Sequence, residues 1–221
     1  MTEWSGSPGR DMKRRLLALA GLVLIVGAAV GALSAAGRLG NRGGGEGISA
    51  VTILDTPGAS EDLAVGPEIG KLAQDFEVSA FDGTRHRLSD YRGKVVFVNL
   101  WATWCIFCQL EMPDLYQLEN LHPDEVAVIS INRREPLQNA ISFLEDMPLQ
   151  DGRKGVSFTV NGIDPEDTLY GEYHALGMPA SYIIDPTGVI RRTASGPILL
   201  SKMEEILSEI LTGAATAEPA N

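Results

Sequence analysis

The chain has 221 residues, 44% of them apolar, and a formal net charge of −11 at pH 7. That length suits one domain of ordinary size plus additional segments. The charge is uneven: residues 1–45 carry +4 and the remainder carries −15, and so acidic a body excludes nucleic acid as an expected partner, because phosphate binding needs a basic face.

Taken in chain order, the first element is an apolar run, 16-LLALAGLVLIVGAAVGALSAA-36, uncharged and long enough to cross a bilayer as a helix. The cluster 13-KRR-15 before it should hold residues 1–15 in the cytoplasm and send the body outside, an asymmetry slightly weakened by Arg38 and Arg42. A cleaved signal peptide is the rival, since 34-SAA-36 resembles a small-residue cleavage site, but the run is longer than the roughly 7–15 residues of a signal core. The expectation is a single-pass anchor at 16–36 in the cell membrane; either reading makes the body extracytoplasmic. Residues 37–70, rich in Gly, Pro and acidic residues, read as a flexible linker, with 48-ISAVTIL-54 lacking an obvious partner.

The folded domain is expected over 71–212. Residues 75–80 and 84–89 flank Asp82-Gly83, a hairpin turn. The continuous apolar runs 95-VVFVNLW-101 and 126-VAVISIN-132 read as buried strands, with helices over 106–121 and 136–147. A short strand at 156–160 and a short helix at 166–175 follow. Strands at 181–185 and 189–194 surround the turn Pro186-Thr187-Gly188, and an amphipathic helix over 199–212 closes the domain. Residues 213–221 read as a disordered tail. Alternating strands and helices with a closing hairpin and helix describe an α/β sandwich.

Both cysteines of the chain, Cys105 and Cys108, lie in 101-WATWCIFCQLEMP-113 at a strand-to-helix junction. Four readings compete. A structural disulfide would close a tiny loop and gain little. A zinc site needs about four ligands, and His86, His122 and His174 show no paired spacing. An inert thiol pair is the third reading. A redox dithiol is the favoured one: at a helix N-terminus the macrodipole and free N–H groups stabilise a thiolate on the first sulfur. Glu111, three residues after Cys108, shares its helix face, where a carboxyl can relay protons; the alternative is a solvent-facing glutamate. Trp101 reads as core packing, Trp104 as bordering a substrate groove, and Pro113 as a helix-bending residue.

WATWCIFC, with Glu111, Pro113, 177-GMPASYIID-185 and the preceding anchor, resembles the membrane-anchored thiol–disulfide oxidoreductases of the TlpA/ResA type, in the thioredoxin superfamily. The resemblance covers about 70–212. It implies a thioredoxin-like fold with an N-terminal β-hairpin and a central insertion, preceded by one transmembrane helix. It implies Cys105 as nucleophile, Cys108 as resolving thiol, Glu111 as proton carrier, and a cis Pro179 beside Met178 that leaves backbone free for a substrate strand. Where thioredoxins carry a buried aspartate this chain has Asn99. The dipeptide Ile106-Phe107 departs from the proline-containing pairs of relatives and leaves the reduction potential open. The resemblance further implies no cofactor beyond the Cys105–Cys108 disulfide and no metal. Expected partners are a membrane thiol–disulfide electron donor and disulfide-containing exported proteins, apocytochrome c among them.

Three rivals remain. A disulfide-forming oxidase would differ in potential. A peroxiredoxin-type peroxidase needs Pro-x-x-x-Thr-x-x-Cys, which neither cysteine satisfies. A Sco-like copper chaperone uses Cys-x-x-x-Cys with a distant histidine, for which only His174 is conceivable.

Overall fold

The computed structural model describes residues 49–60 and 63–213. The expected cytoplasmic segment 1–15, the span 16–36, the first part of the linker and nearly all of the tail lie outside the described residues. Among the described residues no helix is long and apolar enough to cross a membrane.

Two sheets organise the domain. The larger has the order β6-β5-β4-β7-β8, built from β4 (Val95–Trp101), β5 (Val126–Arg133), β6 (Val160–Asp164), β7 (Ala180–Ile184) and β8 (Ile190–Ser195). Strands β4, β5 and β6 run parallel; β7 runs antiparallel to β4, and β8 to β7. All seven residues of β4 are buried, as a central strand covered on both faces requires. Val95, Phe97 and Trp101 face the side occupied by α1 (Ile106–Leu121), α2 (Leu137–Asp146) and α4 (Leu200–Leu211). Val96, Val98 and Leu100 face the other, where the second sheet and α3 (Thr168–Glu172) pack through Phe76, Val78, Leu169 and Tyr173.

The second sheet corrects the expected linker. Its described residues 49–60 and 63–70 are not a free tether: β1 (Val51–Ile53) pairs antiparallel with β2 (Phe76–Ser79), which pairs with β3 (Arg85–Arg87). A two-stranded hairpin leaves one edge of β2 open, and the alternating Val51-Thr52-Ile53 fills it, burying Val51. Further on, the Gly70 N–H donates to the Ile190 carbonyl at 2.8 Å, and Val65 bridges to Leu72. The strand expected at 156–160 begins only at Val160. Val156 and Phe158 are buried in the helical-side core instead, while the Thr159 N–H and hydroxyl donate to Glu119. The remaining elements stand where periodicity puts them, and the helix containing Pro113 is continuous from Ile106 to Leu121.

Candidate active site

Strand β4 ends at Trp101 and α1 begins at Ile106, so the turn between them delivers Cys105 to the helix N-cap. Its extended backbone (φ −85°, ψ 103°) is that of a capping residue, and its sulfur fills the role a cap side chain normally plays. Sγ accepts from the Cys108 N–H at 3.1 Å. Cys105 and Cys108 are joined in a disulfide. Cys105 retains a small exposure of 6% and Cys108 has none, so an external thiol or disulfide can reach only the first. The first turn of α1 carries no acidic residue, and the N-terminal field therefore acts on Cys105 unopposed from its own helix.

Around this sulfur the surface is apolar. Trp104, Ile106, Phe107 and Leu110 are each more than half exposed. A cluster of large apolar side chains open to water is costly unless something covers it. Trp104 thus stands at the rim, while Trp101 is buried and stacks on Phe143 with ring centroids 5.4 Å apart.

Opposite stands the segment before β7. The Met178–Pro179 peptide bond is cis. Met178 packs against the cluster that contains both cysteines. Among the described residues nothing hydrogen-bonds to its N–H or C=O, so one donor and one acceptor are left for an incoming strand.

Beneath the helix lies Glu111, fully buried. Asn99 of β4 donates to it through Nδ2 at 2.8 Å, Ser181 of β7 through its hydroxyl at 3.4 Å, and the Ile198 N–H at 3.1 Å. Burial raises its pKa from 4.5 to about 8, against the lowering effect of these three donors and with a small addition from the neighbouring Asp114 charge. A carboxyl so placed is neutral at pH 7 and can release its proton within the physiological range.

Residues that pattern reading misses hold this arrangement. Asn99 is visible in the sequence as an amide at a carboxylate's position, but not as the partner of Glu111. Ser181 lies within 177-GMPASYIID-185 and carries no signal of its own. Glu135, just past β5, accepts from the Thr103 N–H at 2.7 Å, from its hydroxyl at 2.5 Å and from Asn132 Nδ2 at 2.8 Å, fixing the turn two residues ahead of Cys105. Arg134 before it has a left-handed φ of 54°, which redirects the chain at the strand end. His174 is not a helical residue: it follows α3 with φ 49° and is exposed. Among the described residues no three His, Cys, Asp or Glu side chains converge to hold a metal ion.

Residues 69–193 match the AhpC/TSA family. Thiol-disulfide oxidoreductase ResA of Geobacillus thermodenitrificans is 33% identical over 143 residues, covering 64% of this chain and 78% of that protein. Thioredoxin-like protein YneN of Bacillus subtilis is 30% identical over 150 residues, covering 65% and 81%. Among solved structures, one described as thiol:disulfide interchange protein DsbE from Chlorobium tepidum superposes with a TM-score of 0.55 at 26% identity, over 67% of this chain and 99% of that one. Another, described as a protein disulfide isomerase from Bacteroides thetaiotaomicron, gives 0.57 at 28% identity over 66% and 91%.

Proposed function

The chain belongs to the AhpC/TSA family and, within the thioredoxin superfamily, to the ResA-like thiol–disulfide oxidoreductases, and from that premise we propose that it works as a reductase of disulfides in exported proteins, outside the cytoplasm, tethered by residues 16–36. The observation that carries this reading is the pairing of a barely exposed Cys105 sulfur with an apolar rim and an unpaired Met178 backbone, a surface made for an extended polypeptide rather than for a small molecule.

In the reduced enzyme the Cys105 thiolate attacks one sulfur of the target disulfide. The target's other sulfur leaves as a thiolate and takes a proton, and a mixed disulfide to Cys105 remains. Glu111, as carboxylate, receives the Cys108 proton. The Cys108 thiolate then attacks the Cys105 sulfur and expels the second target sulfur as a thiolate, which takes a proton from solvent. Two electrons have passed to the target, and the enzyme is left in the disulfide form with Glu111 protonated, which agrees with a pKa raised to about 8 in this oxidised state. A membrane dithiol donor returns the two electrons and loses its two protons to solvent, while the Cys108 sulfur freed in that exchange takes back the proton of Glu111 and restores the carboxylate. Trp104 and Met178 bind the target segment, and Pro179 holds the Met178 backbone open. Apocytochrome c is one candidate target; the extracytoplasmic site rests on the charge pattern around 16–36.

The test is a Cys108→Ser variant expressed with its anchor, acid-trapped and fractionated. Mixed disulfides through Cys105 to exported proteins, in the membrane fraction, are the expected result. A reduction potential near about −120 mV, measured against glutathione, would instead mark an oxidase and end the reductase reading.

A further inference from the structure

Strand β5 and α3 together carry a contact into the docking segment that the cysteine chemistry does not require. Arg133 ends β5 with only 14% of its side chain exposed. Its guanidinium is gripped on two sides. Asp167, ahead of α3, accepts from Nε at 2.6 Å and also from Nη2. The Tyr170 ring lies beneath, its centroid 3.6 Å from Cζ. A fork bound to a carboxylate and stacked on an aromatic face has little freedom left. What remains is Nη1, which reaches the Met178 Sδ at 3.8 Å.

Helix α3 also touches the neighbouring residue. Tyr170 Oη approaches the Gly177 carbonyl at 3.5 Å. A Cβ on Gly177 would come within 2.8 Å of Ser195 Oγ, so this stretch of backbone lies tight against β8. Residues 177 and 178 are thus held from α3 on one side and β8 on the other, while the Met178 N–H and C=O stay unpaired.

We propose that Arg133 is a positioning residue for substrate docking: clamped by Asp167 and Tyr170, it fixes the Met178 side chain and so holds the Met178 backbone in register for the incoming strand. The inference rests on Met178 being the docking residue, as argued above. It explains why an arginine stands at the inner end of a central strand, where an apolar residue would cost less to bury. It also gives α3 a role, tuning the docking edge from outside the dithiol.

Reduction of insulin disulfides, driven by dithiothreitol, separates the possibilities. Arg133→Leu should raise KM about fivefold, equivalent to ~1 kcal/mol at 1.4 kcal/mol per tenfold, with kcat and the Cys105–Cys108 reduction potential unchanged. Asp167→Asn, which weakens the clamp while keeping the arginine, should move KM in the same direction and serves if the leucine variant does not fold. The double variant Arg133→Leu/Met178→Leu should show a KM no higher than the larger of the two single variants, because both changes break one contact. An unchanged KM in Arg133→Leu and Asp167→Asn, or effects that simply add in the double variant, would overturn the proposal. Failure of the unmodified protein to reduce insulin would instead count against the reductase reading.

Discussion

Replacing Glu111 with Gln keeps the shape of the side chain and removes its proton. The carboxyl lies under α1 with its pKa raised from 4.5 to about 8, first by burial and slightly by Asp114. The folded protein therefore holds a proton that the unfolded chain gives up, and between those two values stability must fall as pH rises. The contribution is fully present below about pH 4.5 and lost above about pH 8; at 1.36 kcal/mol per pH unit the whole span is worth about 5 kcal/mol, of which roughly 3 to 4 kcal/mol lies between pH 5 and pH 8. Gln cannot titrate, and its variant lacks this slope. Its Nε2 would face Asn99 Nδ2, but Asn99 can turn its amide and present Oδ1, which has no hydrogen-bond partner among the described residues. Urea unfolding of the oxidised protein at pH 5, 6, 7 and 8, extrapolated to zero denaturant, gives both curves. Their difference should close or invert by roughly 3 to 4 kcal/mol across that range, since every other group cancels in it. Parallel curves would refute the argument: Glu111 would then titrate alike in folded and unfolded chains, and could not be the proton store that the resolving step uses.

Three further outcomes follow from the same geometry. Asn99→Asp places a second carboxylate within 2.8 Å of the first; like charges so close cannot both ionise, so the alkaline limb of the exchange-rate profile should move to higher pH, and a profile identical to that of the unmodified protein would contradict the contact. Glu135→Ala frees the Thr103 N–H and hydroxyl and Asn132 Nδ2; with hydrogen bonds to charged groups worth about 1.5–3 kcal/mol each before solvent replaces them, a net loss near 2 kcal/mol is expected in denaturant unfolding, together with slower attack by Cys105. Val51→Ala should cost about 1–2 kcal/mol, at roughly 0.8 kcal/mol per buried methylene; an unaltered denaturation midpoint would restore the linker reading that β1 displaces.

What could be read directly in the chain was local. Cys105 at a helix start, Cys108 one turn on and Glu111 three further need only helical spacing, and the bounds of α1 follow from the apolar strand before it and the His122-Pro123 turn after it. The buried strands announce themselves as unbroken apolar runs. The partner of 51–53 did not, because an edge strand of three residues has no pattern beyond its alternation; the open side of β2 supplied the reason for it to be ordered.

Other features depended on sheet order alone. Glu111 meets Asn99, Ser181 and Ile198 across separations of 12, 70 and 87 residues, contacts that exist because β7 lies against β4 and the chain after β8 returns beneath α1. Periodicity marks a face as buried, but cannot say which polar groups meet there, or that burial would keep a carboxyl protonated near neutrality against three donors. Arg133 looks like a charge at the end of a strand until α3 brings Asp167 and Tyr170 around it. In this protein the sequence by itself determined the redox pair and the elements that carry it. The tertiary structure decided the environment of its proton and the stiffness of its docking edge, since both depend on distances between strands that no single stretch of chain contains.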